Sequence, residues 1–138
     1  MASAAKKRVF IVEDHIVFRE GFKGLLQRAG YEVVGEASDG QEALKVVPRC
    51  QPELVILDLS MPRVNGFSVL REIKRTMPEV KVLILSIHES EQFILEAFAG
   101  GTDGYAIKDS SRTELMVAIR TVLEGKKYID PAIPIIVA

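Results

Sequence analysis

Five short apolar runs punctuate the chain: Val9 to Val12, Tyr31 to Val34, Leu54 to Leu57, Val82 to Leu85, and Tyr105 to Ile107. They are of strand length and rich in valine, isoleucine and leucine. The central three do not alternate between apolar and polar residues, which is how strands read when both faces of a parallel sheet are covered. Between them the spacing changes to that of helices. Phe18, Phe22, Leu25, Leu26 and Ala29 recur on one helical face, and Gly30 supplies the stop. Ala43, Leu44 and Val47 predict a shorter second helix ending before Pro48, and Phe67, Leu70, Ile73 and Met77 predict a third ending before Pro78. Phe93, Ile94, Ala97 and Phe98, stopped by Gly100 and Gly101, give a fourth. Leu115, Ile119 and Val122, stopped by Gly125, give a fifth.

Strict alternation of strand and helix, five times over, predicts a doubly wound α/β domain with a five-stranded parallel sheet and right-handed crossovers. The domain is expected over residues 8–125. Residues 126–138, with Pro131, Pro134 and an apolar end, read as a C-terminal tail or a shortened linker. No internal repeat or low-complexity tract interrupts the pattern.

Composition narrows the function more than the fold. With 138 residues, 48% of them hydrophobic and 27% charged, the chain is of ordinary globular make-up and needs neither metal nor disulfide to fold. Any metal would therefore serve function. A net charge of −1, and no basic run longer than Lys6-Lys7-Arg8, leaves no footprint for direct nucleic-acid binding. The lone Cys50 has no partner for an internal disulfide and no His or Cys at ligand spacing, so it reads as an ordinary thiol. No apolar run approaches the ~18 residues of a membrane span, and Met1 to Lys7 lack the apolar core of a signal peptide. A cytoplasmic protein is expected.

The chemistry-bearing residues stand at the ends of the predicted strands. Strand one runs into Glu13-Asp14, strand three into Asp58, strand four into Ser86 and strand five into Lys108. In a parallel sheet these ends share one edge, where ligand sites of open α/β sheets form. Carboxylates crowded there repel one another unless a cation joins them. Oxygen ligands without His or Cys suit Mg²⁺, with Mn²⁺ as the alternative. A carboxylate beside such an ion can act as a nucleophile toward phosphorus, and Lys108 would neutralise the transferring group. Ser86 would donate a hydrogen bond to a phosphoryl oxygen.

Glu13-Asp14, Asp58 followed by Ser60-Met61-Pro62 and Gly66, then Ser86, and Tyr105 with Lys108, together resemble the signature of response regulator receiver domains. The resemblance extends from about Arg8 to Gly125. The runs from Asp14 to Gly21 and from Gly104 to Ser110 further resemble the NarL/FixJ (LuxR-type output) branch, whose members usually carry a C-terminal helix-turn-helix module that this sequence does not contain.

The resemblance implies a flavodoxin-like (βα)5 sheet of order 2-1-3-4-5. It implies that Glu13, Asp14, Asp58 and the Ser60 carbonyl hold the metal, that Asp58 accepts the phosphoryl group, and that Lys108 contacts it. Ser86 and Tyr105 match the family's switch pair, while Ser60 and His88 match positions that tune dephosphorylation. The implied partners are a sensor histidine kinase, a phosphorylation-dependent second copy, and DNA only through a separate output domain. Such a protein is a phosphoacceptor with autophosphatase activity rather than a conventional enzyme. Many receivers place a proline, often cis, after the lysine; here the residue is Asp109, as is common in the NarL/FixJ branch, and the isomer of the Lys108–Asp109 bond stays open.

Blander readings stand beside these. Asp58 alone could be a loop carboxylate, Glu13-Asp14 a cap for helix one, Ser86 a cap for helix four, Lys108 a surface lysine, and Tyr105 a core aromatic. His15 and His88 read as surface residues. The wide apolar face formed by Leu115, Met116, Ile119, Val122 and Leu123 fits either a partner surface or a covering by the tail. Two rival functions remain: an aspartyl-nucleophile phosphatase, which would want an acid where Ser60 stands, and a flavodoxin-type FMN-binding module, whose phosphate loop would fall at Glu13-Asp14.

Overall fold

In the computed structural model, residues 5–59, 65–131 and 133 are described. The chain forms β1 (Arg8–Val12), α1 (Ile16–Arg28), β2 (Glu32–Ala37), α2 (Gly40–Cys50), β3 (Leu54–Asp58), α3 (Gly66–Thr76), β4 (Lys81–Ser86), α4 (Glu91–Ala99), β5 (Gly104–Ile107), α5 (Arg112–Leu123) and β6 (Tyr128–Ile129). All strand pairings are parallel, in the order β2-β1-β3-β4-β5-β6. The first five strands thus stand in the flavodoxin-like 2-1-3-4-5 order that the sequence implied.

Strand alternation divides the interior into two cores. Phe10, Val12, Val55, Leu57, Val82 and Ile84 face Val47, Leu70, Ile73 and Ile94 of α2, α3 and α4. Val9, Ile11, Leu54, Ile56, Leu83 and Leu85 face the other way, onto Phe22 and Leu26 of α1 and Leu115, Ile119 and Val122 of α5. Burial on both sides is why β3 and β4 are apolar without alternation.

Three expectations need correction. The second helix does not end before Pro48: α2 continues through it to Cys50, with Gln51 in the left-handed region at φ 47°. The proline forfeits only its own N–H bond, and the turn is held by the fully buried Val47, whose carbonyl accepts the Gln51 N–H at 3.1 Å. The second strand extends past Val34 to Ala37, because Gly35 is required rather than disruptive: a Cβ there would lie 2.7 Å from the Phe10 ring and 2.9 Å from Cys50 Sγ.

Finally, the stretch after Gly125, read as the start of a tail, supplies a sixth strand. Tyr128 and Ile129 pair with Gly104 and Tyr105, and Tyr128 joins the α1/α5 core. Leu115, Ile119 and Val122 are buried in that same core, so β6 and the sheet account for most of the wide apolar face of α5. All described peptide bonds, Lys108–Asp109 included, are trans.

Candidate functional site

The chain turns one way from β1 to β2 and the other way from β3 onward, so the sheet reverses its winding between β1 and β3, where open α/β sheets bind ligands. Glu13 and Asp14 follow β1, and Asp58 ends β3 next to it. Ser86 ends β4, and the Lys108 N–H donates to the Ser86 carbonyl at 2.8 Å, bringing the end of β5 alongside. Four segments distant in sequence therefore meet at one edge.

Each of Glu13, Asp14 and Asp58 offers a carboxylate oxygen within 4.8 Å of the others. Glu13 and Asp58 are both 2% exposed, while Asp14 is open to solvent. Lys108 Nζ lies 2.8 Å from Glu13 Oε1 and 3.3 Å from Asp58 Oδ2. Burial pushes the Glu13 carboxyl up to about 7, with the Asp58 charge adding to the shift and the Lys108 ammonium and the His15 N–H opposing it. Burial also works against the Lys108 charge, but the hydrogen bond to Glu13 and the two carboxylate charges outweigh it and hold the lysine above its usual range.

Among the described residues, the Lys108 ammonium meets two of the three carboxylates. Carboxylate oxygens that approach one another within 4.8 Å would let Glu13, Asp14 and Asp58 hold one small hard cation between them. The donor set is all oxygen and therefore suits Mg²⁺ or Mn²⁺.

A second cluster adjoins the first. Ser86 and Tyr105 are fully buried. The Tyr105 hydroxyl donates to the His88 carbonyl at 2.7 Å, and the His88 N–H donates to Ser86 Oγ at 2.9 Å. Burial pushes the Tyr105 phenol up, a shift that the Ser86 hydroxyl partly offsets. The half-buried His88 ring stacks on Phe93, with centroids 4.3 Å apart and planes 6° apart. The sequence pairing of residues 86 and 105 is thus a linked network running through the His88 backbone. Ser60 lies outside the described residues, as do Met61 and Pro62.

The bland alternatives divide: Ser90, not Ser86, caps α4, whereas Tyr105 does lie in the core and Glu13 Oε2 does accept the His15 N–H at 3.0 Å at the start of α1, where the His15 side chain itself makes no cap. Two supporting residues escaped the sequence reading. Arg19 donates through Nη1 to the Glu13 carbonyl at 2.8 Å while its Nε sits 2.9 Å from Glu36 Oε1, clamping the turn that carries the acidic pair. Asp130, 1% exposed, accepts from Ser110 Oγ at 2.7 Å and from the Ile107 N–H at 3.2 Å, on either side of Lys108. Arg19 sat within a quoted motif but on the wrong side of an amphipathic pattern; Asp130 sat in the presumed tail.

Residues 9–120 match the response regulator receiver domain family. The chain belongs to that family. Its relatives include the transcriptional regulatory protein DegU of Brevibacillus brevis, 36% identical over 93% of this chain and 55% of the relative, and the response regulator GacA of Pseudomonas viridiflava, 35% identical over 91% and 59%. The chain therefore spans somewhat more than half the length of these curated relatives. Among solved structures, a LuxR-family two-component response regulator from Aurantimonas sp. SI85-9A1 superposes with a TM-score of 0.89 at 35% identity, covering 94% of this chain and 93% of that one. The signal receiver domain of the putative response regulator NarL from Mycobacterium tuberculosis gives 0.84 at 33%, covering 89% and 100%. As a receiver domain of two-component signalling, the chain is a regulatory phosphoacceptor with an acidic pocket suited to Mg²⁺. Among the described residues, no helix is long and apolar enough to cross a membrane.

Proposed function

We propose that this receiver takes a phosphoryl group from a sensor histidine kinase, or from a small acyl phosphate, onto Asp58, and that the modification controls transcription in the cytoplasm through an output domain. The single observation that carries the reading is the meeting of Glu13, Asp14 and Asp58 within 4.8 Å, with Lys108 on two of them.

An Asp58 carboxylate oxygen forms a bond to phosphorus as the bond from phosphorus to the donor's nitrogen or acyl oxygen breaks, leaving an acyl phosphate on the protein. Glu13, Asp14 and Asp58, with the Ser60 carbonyl that the family resemblance adds, would hold Mg²⁺, or Mn²⁺ in its place, and the ion would supply charge neutralisation on the transferring group. Lys108, only 3.3 Å from Asp58, shifts its ammonium onto a phosphoryl oxygen.

The new group adds about −1.5 to −2 charge. Ser86 turns its hydroxyl toward it, and because Ser86 Oγ holds the His88 N–H and the His88 carbonyl holds Tyr105, the change reaches the face of α4 and β5. Hydrolysis, tuned by Ser60 and His88, resets the switch.

Incubation with acetyl phosphate and Mg²⁺ should add one hydroxylamine-labile phosphoryl group by intact-mass measurement. A chelator or Asp58→Asn should abolish it. Labelling that persists in Asp58→Asn would show that another residue is the acceptor. Self-association on phosphorylation is the proposed partner event; sedimentation with and without beryllofluoride should show a rise in mass, and an unchanged mass removes this part.

A further inference from the structure

Lys108 has a third partner that is not an acid. Its Nζ lies over the Phe18 ring, 4.7 Å from the centroid. Phe18 is set from behind by Phe22, 4% exposed in the α1/α5 core, with ring centroids 5.7 Å apart. The next residue, Arg19, ties the same turn of α1 to the Glu13 carbonyl. Ring, acidic pair and lysine therefore share one frame.

We infer that Phe18 is a positioning residue for phosphoryl capture, its ring face holding the Lys108 ammonium at the site in every state of the carboxylates. The inference rests on the phosphoacceptor reading above. Its physical basis is competition: the two carboxylates that pair with Lys108 are also ligands for the divalent ion, so a bound ion draws away the charge that holds the lysine. A lysine side chain is a flexible stem with a strongly hydrated tip and would otherwise drift to solvent. The aromatic face attracts the ammonium through its quadrupole and offers no lone pair to a hard cation. Among the described partners of Lys108, the ring is the one that neither the ion nor the phosphoryl group would displace. Phe18 fits the apolar period of α1, so sequence alone assigns it to the core.

The test uses the full chain. Without any phosphoryl donor, the ε-methylene protons of Lys108 should resonate upfield from the ring current, stay there on saturation with Mg²⁺, and lose the shift in Phe18→Leu. Disappearance of the shift when Mg²⁺ is added overturns the inference. Capture of beryllofluoride in the presence of Mg²⁺ should weaken by roughly three- to tenfold in Phe18→Leu and recover in Phe18→Trp, the scale of a partly desolvated cation–π contact. Binding of Mg²⁺ alone should change by less than about twofold in Phe18→Leu, as befits a ring that is no ligand. In a Lys108→Met background, Phe18→Leu should have no further effect; an equal loss there would mean that the ring only packs. A native chain that captures no beryllofluoride sinks the phosphoacceptor reading itself, whereas native capture with an unaffected Phe18→Leu sinks only the role of the ring. Amide spectra confirm that each variant is folded, and Phe18→Trp serves as the second probe of the site.

Discussion

At the scale of residues, Glu13 is a carboxyl taken almost wholly out of water, 2% exposed. Its pKa, raised to about 7 by burial and the neighbouring Asp58, means that the folded state binds a proton more tightly than the unfolded state does. The associated stability is present below the ordinary glutamate pKa and is lost as pH rises through about 7. Urea unfolding without divalent ions should therefore show stability falling between about pH 5 and pH 7, by on the order of 2 kcal/mol. Saturating Mg²⁺ should reverse that slope, since ionised carboxylates bind the ion and protonated ones do not. Arg19 acts on the same turn through its backbone: Arg19→Gln removes the bond to the Glu13 carbonyl and should weaken Mg²⁺ binding by about tenfold, read by calorimetry.

At the scale of elements, patterning in the sequence exposed what depends on burial and concealed what depends on proximity. Strands β1, β3, β4 and β5 were visible because two-sided burial leaves no room for polar residues in runs such as Leu54–Leu57. The end of β2 was not, because Gly35 and Glu36 break the apolar run although close approach of Phe10 and Cys50 demands the glycine. Pro48 looked like a terminus because the local rule for proline takes no account of Val47 buried beneath it. The candidate cluster Glu13, Asp14, Asp58 and Lys108 was legible because parallel topology forces strand ends together. Arg19, Asp130 and the ring of Phe18 were not, since each acts through a tertiary contact that no local period encodes. Gly104 illustrates the same limit: a Cβ there would meet Val122 Cγ2 at 2.7 Å and Leu83 Cδ1 at 2.9 Å. Gly104→Ala should prise α5 from β5 and cost about 1–3 kcal/mol in chemical denaturation, with no direct effect on the distant acidic cluster.

At the scale of the whole molecule, the two ends of the sheet do different work. The carboxyl edge concentrates acidic groups for chemistry. At the opposite edge Asp103, 6% exposed, is held by Lys74 at 3.0 Å, Lys127 at 3.3 Å and the Val82 N–H at 2.9 Å. Burial opposes the charge of Asp103, but these partners win and keep its carboxyl below the usual aspartate range, so this cluster supports the fold down into acid. Asp130 joins the far end of the chain to the chemical edge. Asp130→Ala leaves the Ile107 N–H and the Ser110 hydroxyl without this acceptor, which should lower stability by about 1–3 kcal/mol and speed amide exchange at Ile107.

The short strand β6 also governs how anything joined downstream would be aimed. Because residues 128–130 are bonded into the body of the domain, a fused module would leave from a fixed mount near residue 131 rather than from a swivel at Gly125. Spacer lengths for chimaeras should accordingly be counted from that mount. A cut at Gly125 would strip the outermost ribbon and lay bare the flank of β5, turning a protected margin into an adhesive one.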